Sequence, residues 1–235
     1  MKQNLRLLVI GRGGREFAIA KQLLASPRVA EVYCAPGNPG MAEINVKTVP
    51  IDELDFEQLL KFAVEKQIDW TFVGPEDALC AGIVDKFQAA GQLIFGPNQR
   101  AAQLEGSKDY ALRFMRKYHV PTARFETFTS EAAAKAGIAD FGFPLVVKAD
   151  GLAGGKGVII AQDQQEAEDA LAKLFKFSQA VVLEEFLTGP EYSMFVVVSG
   201  QNCAFCRWPR TTNGPMMATG VLIPAEWVRT VPYRN

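Results

Sequence analysis

Leu5–Ile10 (LRLLVI) is a run that is apolar but for Arg6 and unbroken from Leu7; it stops at Gly11-Arg12-Gly13-Gly14 and hands over to REFAIAKQLLAS, apolar at helical spacing. A run with no polar alternation needs cover on both faces, so it reads as a parallel strand inside a sheet. The glycines read as the turn into a helix. The pattern repeats downstream. RVAEVYC runs into the turn APGNPG, DFEQLLKFAVEKQ is an amphipathic helix, and IDWTFV meets GPE. ALCAGIVDKFQAAG is a further helix and LIF a further strand ending in GPN. Strands alternating with helices in this way predict a doubly wound, Rossmann-like parallel α/β domain over residues 1–104.

Beyond residue 104 the rhythm changes. Residues 105–121 read as a linker and a helix, SKDYALRFMRKYHV, stopped by Pro121. Residues 122–190 read as a small α+β module. It comprises strands RFETF, PLVVKAD, VIIAQ and AVVLEEF, with helices SEAAAKAGIADFG and QQEAEDALAKLF. EYSMFVVVSGQN (191–202) starts another strand, and from residue 203 no period is recognisable.

Composition removes several classes of function. The 25 basic and 26 acidic residues are interspersed and leave a net charge of −1, which favours neither nucleic acid nor an anionic membrane. No apolar run is long enough to span a bilayer, and the four cysteines are unevenly placed, as in a reduced cytoplasmic protein. A single histidine, His119, leaves no basis for a His-rich metal site. Cys203-x-x-Cys206 lacks both the second pair that a metal site needs and the strand-to-helix context of a redox motif.

Six stretches carry chemistry. Gly11–Glu16 (GRGGRE) matches a dinucleotide fingerprint only at Gly11 and Gly13, because Glu16 stands where the third glycine belongs. The turn can still bring backbone N–H groups to a phosphate at a helix N-terminus. Gly37-Asn38 and Gly74-Pro75-Glu76 also follow strands, so three loops would share the carboxyl edge of one sheet, where ligands bind. Val146–Val158 (VVKADGLAGGKGV) sets Lys148 at a strand end and Lys156 among Gly151, Gly154, Gly155 and Gly157. Such a loop offers N–H donors and charge to a polyphosphate. It is not a Walker A loop, since Gly157 follows the lysine. Lys108, in the first turn of its helix, opposes the helix dipole unless an anion offsets it. Glu184 and Glu185 end an apolar strand, so alternation sends one of them inward, where it needs a donor.

Taken in order, GRGGRE, APGN, VGPE…GIVD, FGP, LEGSK, VVKADGLAGGKGV and EEFLTGPEYS closely resemble the phosphoribosylamine–glycine ligases, a family of the ATP-grasp superfamily. The resemblance covers residues 5–202. It implies a pre-ATP-grasp domain followed by an ATP-grasp lid, and a role in purine biosynthesis. ATP would activate the glycine carboxylate as an acyl phosphate, which the amine of phosphoribosylamine then attacks. On this resemblance Lys108 and Lys148 hold ATP phosphates and Gly151–Gly157, with Lys156, close over them. Glu184 faces the adenine and Glu191 the ribose. Gly13, Gly14, Arg15, Glu16, Gly37, Asn38, Gly74, Pro75 and Glu76 would receive phosphoribosylamine. Mg²⁺ is implied too, with its ligands and most of the glycine site in family sequence beyond this length. Phe17 stands where the family usually has His, and Gly154 where it usually has Ala. Two other readings are a stand-alone nucleotide- or phosphosugar-binding module and another ATP-grasp ligase such as a biotin carboxylase. The latter shares the lid but not the full loop series.

Residues 203–235 carry a further expectation. Read one base earlier, Met216-Met217-Ala218 forces Asp-Gly after a codon that allows Tyr, and Trp208-Pro209 allows Met-Ala. Glu226-Trp227-Val228 gives Met or Val and then a forced Gly. Family residues are permitted throughout, so the stretch is expected to be out-of-frame translation and a disordered tail, leaving the rest of the ATP-grasp core missing.

Overall fold

A computed structural model describes residues 3–190, 194–200 and 202–205. The chain divides into two compact units, residues 1–106 and 107–235.

The first unit contains β1 (Leu5–Gly11), α1 (Gly14–Leu24), β2 (Val29–Pro36), a 3-10 turn (Pro39–Ile44) and β3 (Lys47–Thr48). It continues with α2 (Phe56–Glu65), β4 (Trp70–Val73), α3 (Glu76–Cys80), α4 (Ile83–Ala89), β5 (Ile94–Phe95) and α5 (Gln99–Gly106). All strand pairs are parallel, in the order β3-β2-β1-β4-β5. The apolar run of β1 is therefore central. Leu8 and Ile10 enter one core with Leu59, Ile83 and Phe87, while Leu7 and Val9 enter the other with Ala20, Val32 and Met41. This two-sided burial is what the absence of alternation predicts. The chain builds outward from β1 in one direction through β3, then restarts on the other side with β4. The reversal opens a crevice at the carboxyl ends of β1 and β4.

Three details depart from the sequence expectation. The helix expected over ALCAGIVDKFQAAG is two helices, because Gly82 takes φ +91° and turns the chain between them. The short strand β3 and the helix α5 carried too little apolar signal to be seen. Among the residues of α5 only Ala102 is buried. Its available signal was Asn98, whose Oδ1 accepts the Ala101 N–H at 2.9 Å as an N-cap.

The second unit contains α6 (Lys108–Lys117), β6 (Phe125–Phe128), α7 (Glu131–Gly137), a 3-10 turn (Ile138–Asp140) and β7 (Leu145–Ala149). After these come β8 (Val158–Ala161), α8 (Gln164–Leu174), β9 (Val181–Glu185), β10 (Val196–Ser199) and β11 (Asn202–Phe205). Four strands form an antiparallel sheet in the order β6-β9-β7-β8. One face, through Leu145, Val147, Ala149, Val181 and Leu183, packs on α7 and α8. On the other face Val182 and Phe125 meet Leu112 and Met115 of α6. α6 ends before Pro121: His119 takes φ +55°, and the Val120 N–H returns to the Met115 carbonyl at 2.9 Å. The histidine thus occupies the left-handed capping position more often filled by Gly or Asn. The sequence expectation ended the strand grammar at Asn202, but β11 continues to Phe205 and pairs antiparallel with β10. Cys203 falls in this hairpin; Cys206 and residues 207–235 lie outside the described residues.

Candidate functional site

In the first unit the three predicted loops meet at the carboxyl edge of the sheet, and hydrogen bonds tie them together. Gly37 N–H donates to Gly11 O, and Gly74 N–H to Ile10 O, both at 3.0 Å. Asn38 Nδ2 donates to Arg12 O at 2.8 Å while its Oδ1 accepts the Gly40 N–H. Arg15 Nη1 donates to Gly74 O at 2.8 Å and lies 3.5 Å from Glu76 Oε2. A cavity of about 310 Å³ is lined by residues 12–16 with Glu53, Pro75 and Glu76.

Glu16 explains why this is not a dinucleotide loop. Its side chain is buried, and its Oε2 accepts the Gly13 N–H at 2.6 Å. A Cβ on Gly74 would lie 2.1 Å from Glu16 Oε1, and one on Gly11 would lie 2.6 Å from Glu16 Cγ. The carboxylate therefore wedges between the first and third loops and requires glycine on both sides. The N–H groups of the first turn of α1 have no acceptor within the helix. At Gly14 the space around a would-be Cβ is open, so this turn can approach an anion.

Arg12, Asp52 and Glu53 were not anticipated from the sequence. The Arg12 guanidinium donates through Nε to Glu53 and through Nη2 to Asp52, each at 3.1 Å. Glu53 and Asp52 raise the guanidinium's pKa above its ordinary value. The Leu54 N–H, followed by Arg12, lowers that of the Asp52 carboxyl. The only sequence clue was the acidic pair in PIDEL.

In the second unit the strand register brings two of the predicted residues, Lys148 and Glu184, together. Val146 pairs with Glu184 and Lys148 with Val182, so Lys148 and Glu184 are diagonal neighbours on one face. Lys148 Nζ stands 2.7 Å from Glu184 Oε2, with the Glu184 side chain 8% exposed. Glu184 is thus the inward member of the Glu pair. Glu185 turns outward, and its Oε1 accepts the Arg124 N–H at 2.7 Å. The glycine stretch is a β7–β8 hairpin loop closed by Ala149 N–H to Gly157 O at 2.7 Å. At its tip Lys156 N–H returns to Ala153 O, and Gly154 and Gly155 take φ +54° and +78°, the paired positive values of a type I′ turn. No neighbour stands within 4 Å of a Cβ placed on Gly151, Gly154 or Gly155, so this backbone is open to a ligand. Lys108 Nζ donates to Gly151 O at 2.8 Å. Asp150 accepts from Ser107 Oγ and the Asp109 N–H. Asp150 stands two residues beyond Lys148, and no periodicity or spacing in the sequence links it to Ser107 or Asp109. Glu191 lies outside the described residues.

A second hollow, of about 480 Å³ and walled by Arg116 and residues 119–125, takes in none of the predicted site residues. Among the described residues no cluster of three His, Cys, Asp or Glu could hold a metal ion, and no helix is long and apolar enough to cross a membrane.

Two family models match in succession: the N domain of phosphoribosylglycinamide synthetase over residues 5–105, and its ATP-grasp (A) domain over residues 106–211. The chain is 54% identical over 192 residues to a phosphoribosylamine–glycine ligase of Lactococcus lactis, a match that takes in 81% of this chain and 47% of the relative. A solved phosphoribosylamine–glycine ligase from Thermotoga maritima superposes with a TM-score of 0.70 at 34% identity, covering 87% of this chain and 49% of that one. A Campylobacter jejuni biotin carboxylase solved as a β,γ-ATP complex superposes with a TM-score of 0.66 at 16% identity, over 85% of this chain and 49% of that one. This likeness shows the fold alone. The chain spans about half the length of the curated relatives it matches.

Proposed function

The chain belongs to the phosphoribosylglycinamide synthetase family, ATP-grasp carbon–nitrogen ligases of purine biosynthesis, and from that premise we propose what its two units do. The second unit binds ATP, and the first receives the phosphate of 5-phosphoribosylamine. The whole protein joins glycine to that amine with formation of ADP and phosphate.

The observation that carries this reading is the grouping in the second unit. Lys148 is held by Glu184, and Lys108 is held at the root of an open glycine hairpin. ATP supplies the phosphoryl group that activates a carboxylate. This chain's residues supply position and charge: Lys108 and Lys148 neutralise phosphate oxygens, and Gly151–Gly157 with Lys156 offer backbone N–H groups and a further cation. Glu184 accepts from the base, and Glu191 takes the ribose. In the first unit Gly13, Gly14 and Arg15 meet the sugar phosphate. Asn38, Gly74, Pro75 and Glu76 shape the pocket around it, and Glu16 holds the loops apart at their proper spacing.

Titration of the 235-residue chain with Mg-ATP tests the nucleotide half. Saturable binding that weakens about tenfold or more in Lys148→Ala is expected, and wild-type protein that does not bind would overturn it. Phosphate release requiring both phosphoribosylamine and glycine tests the ligation in the whole protein. If residues 203–235 are out of frame, the 235-residue polypeptide by itself releases none, and release at the family's level would refute that expectation.

A further inference from the structure

Lys108 sits in the first turn of α6, where the helix dipole disfavours a cation. Sequence alone leaves the offsetting anion to a ligand, but the chain supplies one of its own. The Asp150 carboxylate accepts Ser107 Oγ at 3.1 and 3.2 Å, one distance to each oxygen, and the Asp109 N–H at 3.2 Å. Asp150 is itself held by its backbone: its N–H donates to Ala180 O at 2.9 Å, and its carbonyl accepts Ser178 Oγ at 3.1 Å. The next carbonyl, Gly151 O, receives Lys108 Nζ. From the other side Thr127 Oγ1 donates to Asp109 Oδ1 at 2.5 Å. Both neighbours of Lys108 are therefore tied to one carboxylate, which lies two residues beyond Lys148 and directly before the glycine hairpin.

We propose that Asp150 is a positioning residue for the nucleotide phosphates, an inference that rests on the ATP-binding reading above. It touches no ligand. It fixes where the Lys108 side chain leaves α6 relative to β7 and the root of the hairpin. By filling the N-terminus of α6 it also keeps the phosphate chain off the helix N–H groups and directs it to the Lys108 ammonium. The physical reason is preorganisation. A lysine has a long flexible stem, and an unpinned Cα would spread the ammonium over many positions and weaken each phosphate contact.

A double-mutant cycle on the 235-residue chain tests this, with ADP and adenosine titrated calorimetrically into wild type, Asp150→Ala, Lys108→Ala and the double variant. Asp150→Ala is expected to weaken ADP about tenfold, to leave adenosine unchanged, and to have no further effect on ADP once Lys108 is Ala. An equal loss of ADP in both backgrounds, an equal loss of adenosine, or no loss at all would overturn the proposal. Should Asp150→Ala not fold, Asp150→Asn keeps the volume and one acceptor, and the same uncoupled outcomes with it count against the proposal. Wild type that binds neither ligand would fail the nucleotide reading itself and take this inference with it. Wild-type binding without coupling would remove the role of Asp150 alone.

Discussion

Two residues in the first unit make opposite demands on their surroundings. Thr71 is 1% exposed in β4, and its Oγ1 has no hydrogen-bond partner among the described residues. Replacing the hydroxyl by a methyl of similar volume removes a desolvation penalty. Thr71→Val should therefore stabilise the fold by about 1 kcal/mol, read as a higher urea midpoint with unchanged slope. Cys34 is fully buried, and burial first, then the Glu16 charge, pushes its thiol up to about 12. The native thiolate is therefore negligible at pH 8, and iodoacetamide should label Cys34 only after unfolding. The sign follows from linkage. The unfolded thiol ionises first, so this group's contribution to stability is complete below the ordinary cysteine value and is lost as pH rises from there toward 12. A denaturation series from pH 8 to 10.5 in wild type and Cys34→Ala checks it, the wild type losing stability more steeply. Neither Thr71 nor Cys34 announces itself in sequence, because a strand pattern assigns a face and not the partners found there. Glu16 did announce itself as a departure from the glycine fingerprint, but that it fills the space between Gly11 and Gly74 depends on strands β1 and β4 being neighbours.

Among the elements, β7 and β9 show how a sheet makes a charged site tolerable. Their antiparallel register sets Lys148 beside Glu184 on a face otherwise carrying Val146 and Val182. Lys148→Met would leave a carboxylate with an 8% exposed side chain and no cation. Loss of about 3 kcal/mol is expected, the low end for breaking a buried pair because Lys148 keeps some water contact. Lys148→Met/Glu184→Leu should recover most of that stability while nucleotide affinity stays low. Failure of the double variant to recover, measured by thermal melts, would mean that the pair matters for more than mutual neutralisation. The strand alternation made one inward Glu legible. Which cation it meets was not, since that is set by inter-strand register between segments more than thirty residues apart. The same limit hid Asp150: its partners Ser107 and Asp109 are over forty residues upstream.

At the scale of the whole molecule, the two units own separate cores. Phe87 is wholly buried with Leu8, Leu59 and Ile83 in the first, and Leu171 with Val147 and Leu183 in the second. Phe87→Ala should cost about 3–5 kcal/mol, and Leu171→Ala about 2–5 kcal/mol. Each is expected to shift one of two unfolding transitions in urea and leave the other in place, while residues 1–106 expressed alone should melt cooperatively. A single transition moved by both substitutions would show that the units unfold together. By itself the sequence determined the class of each unit, the order of nearly all its elements, and the family. Class and order are local properties, set by apolar period, glycine turns and strand ends, and the family rests on the resemblance of the motifs. Only the tertiary structure decided that Gly82 splits a helix, that Glu16 is a wedge, that Arg12 faces Asp52 and Glu53, and that the anion at the head of α6 is Asp150. Each of those depends on which distant segments lie side by side, and hydrogen bonds and burial act through space without regard to distance along the chain.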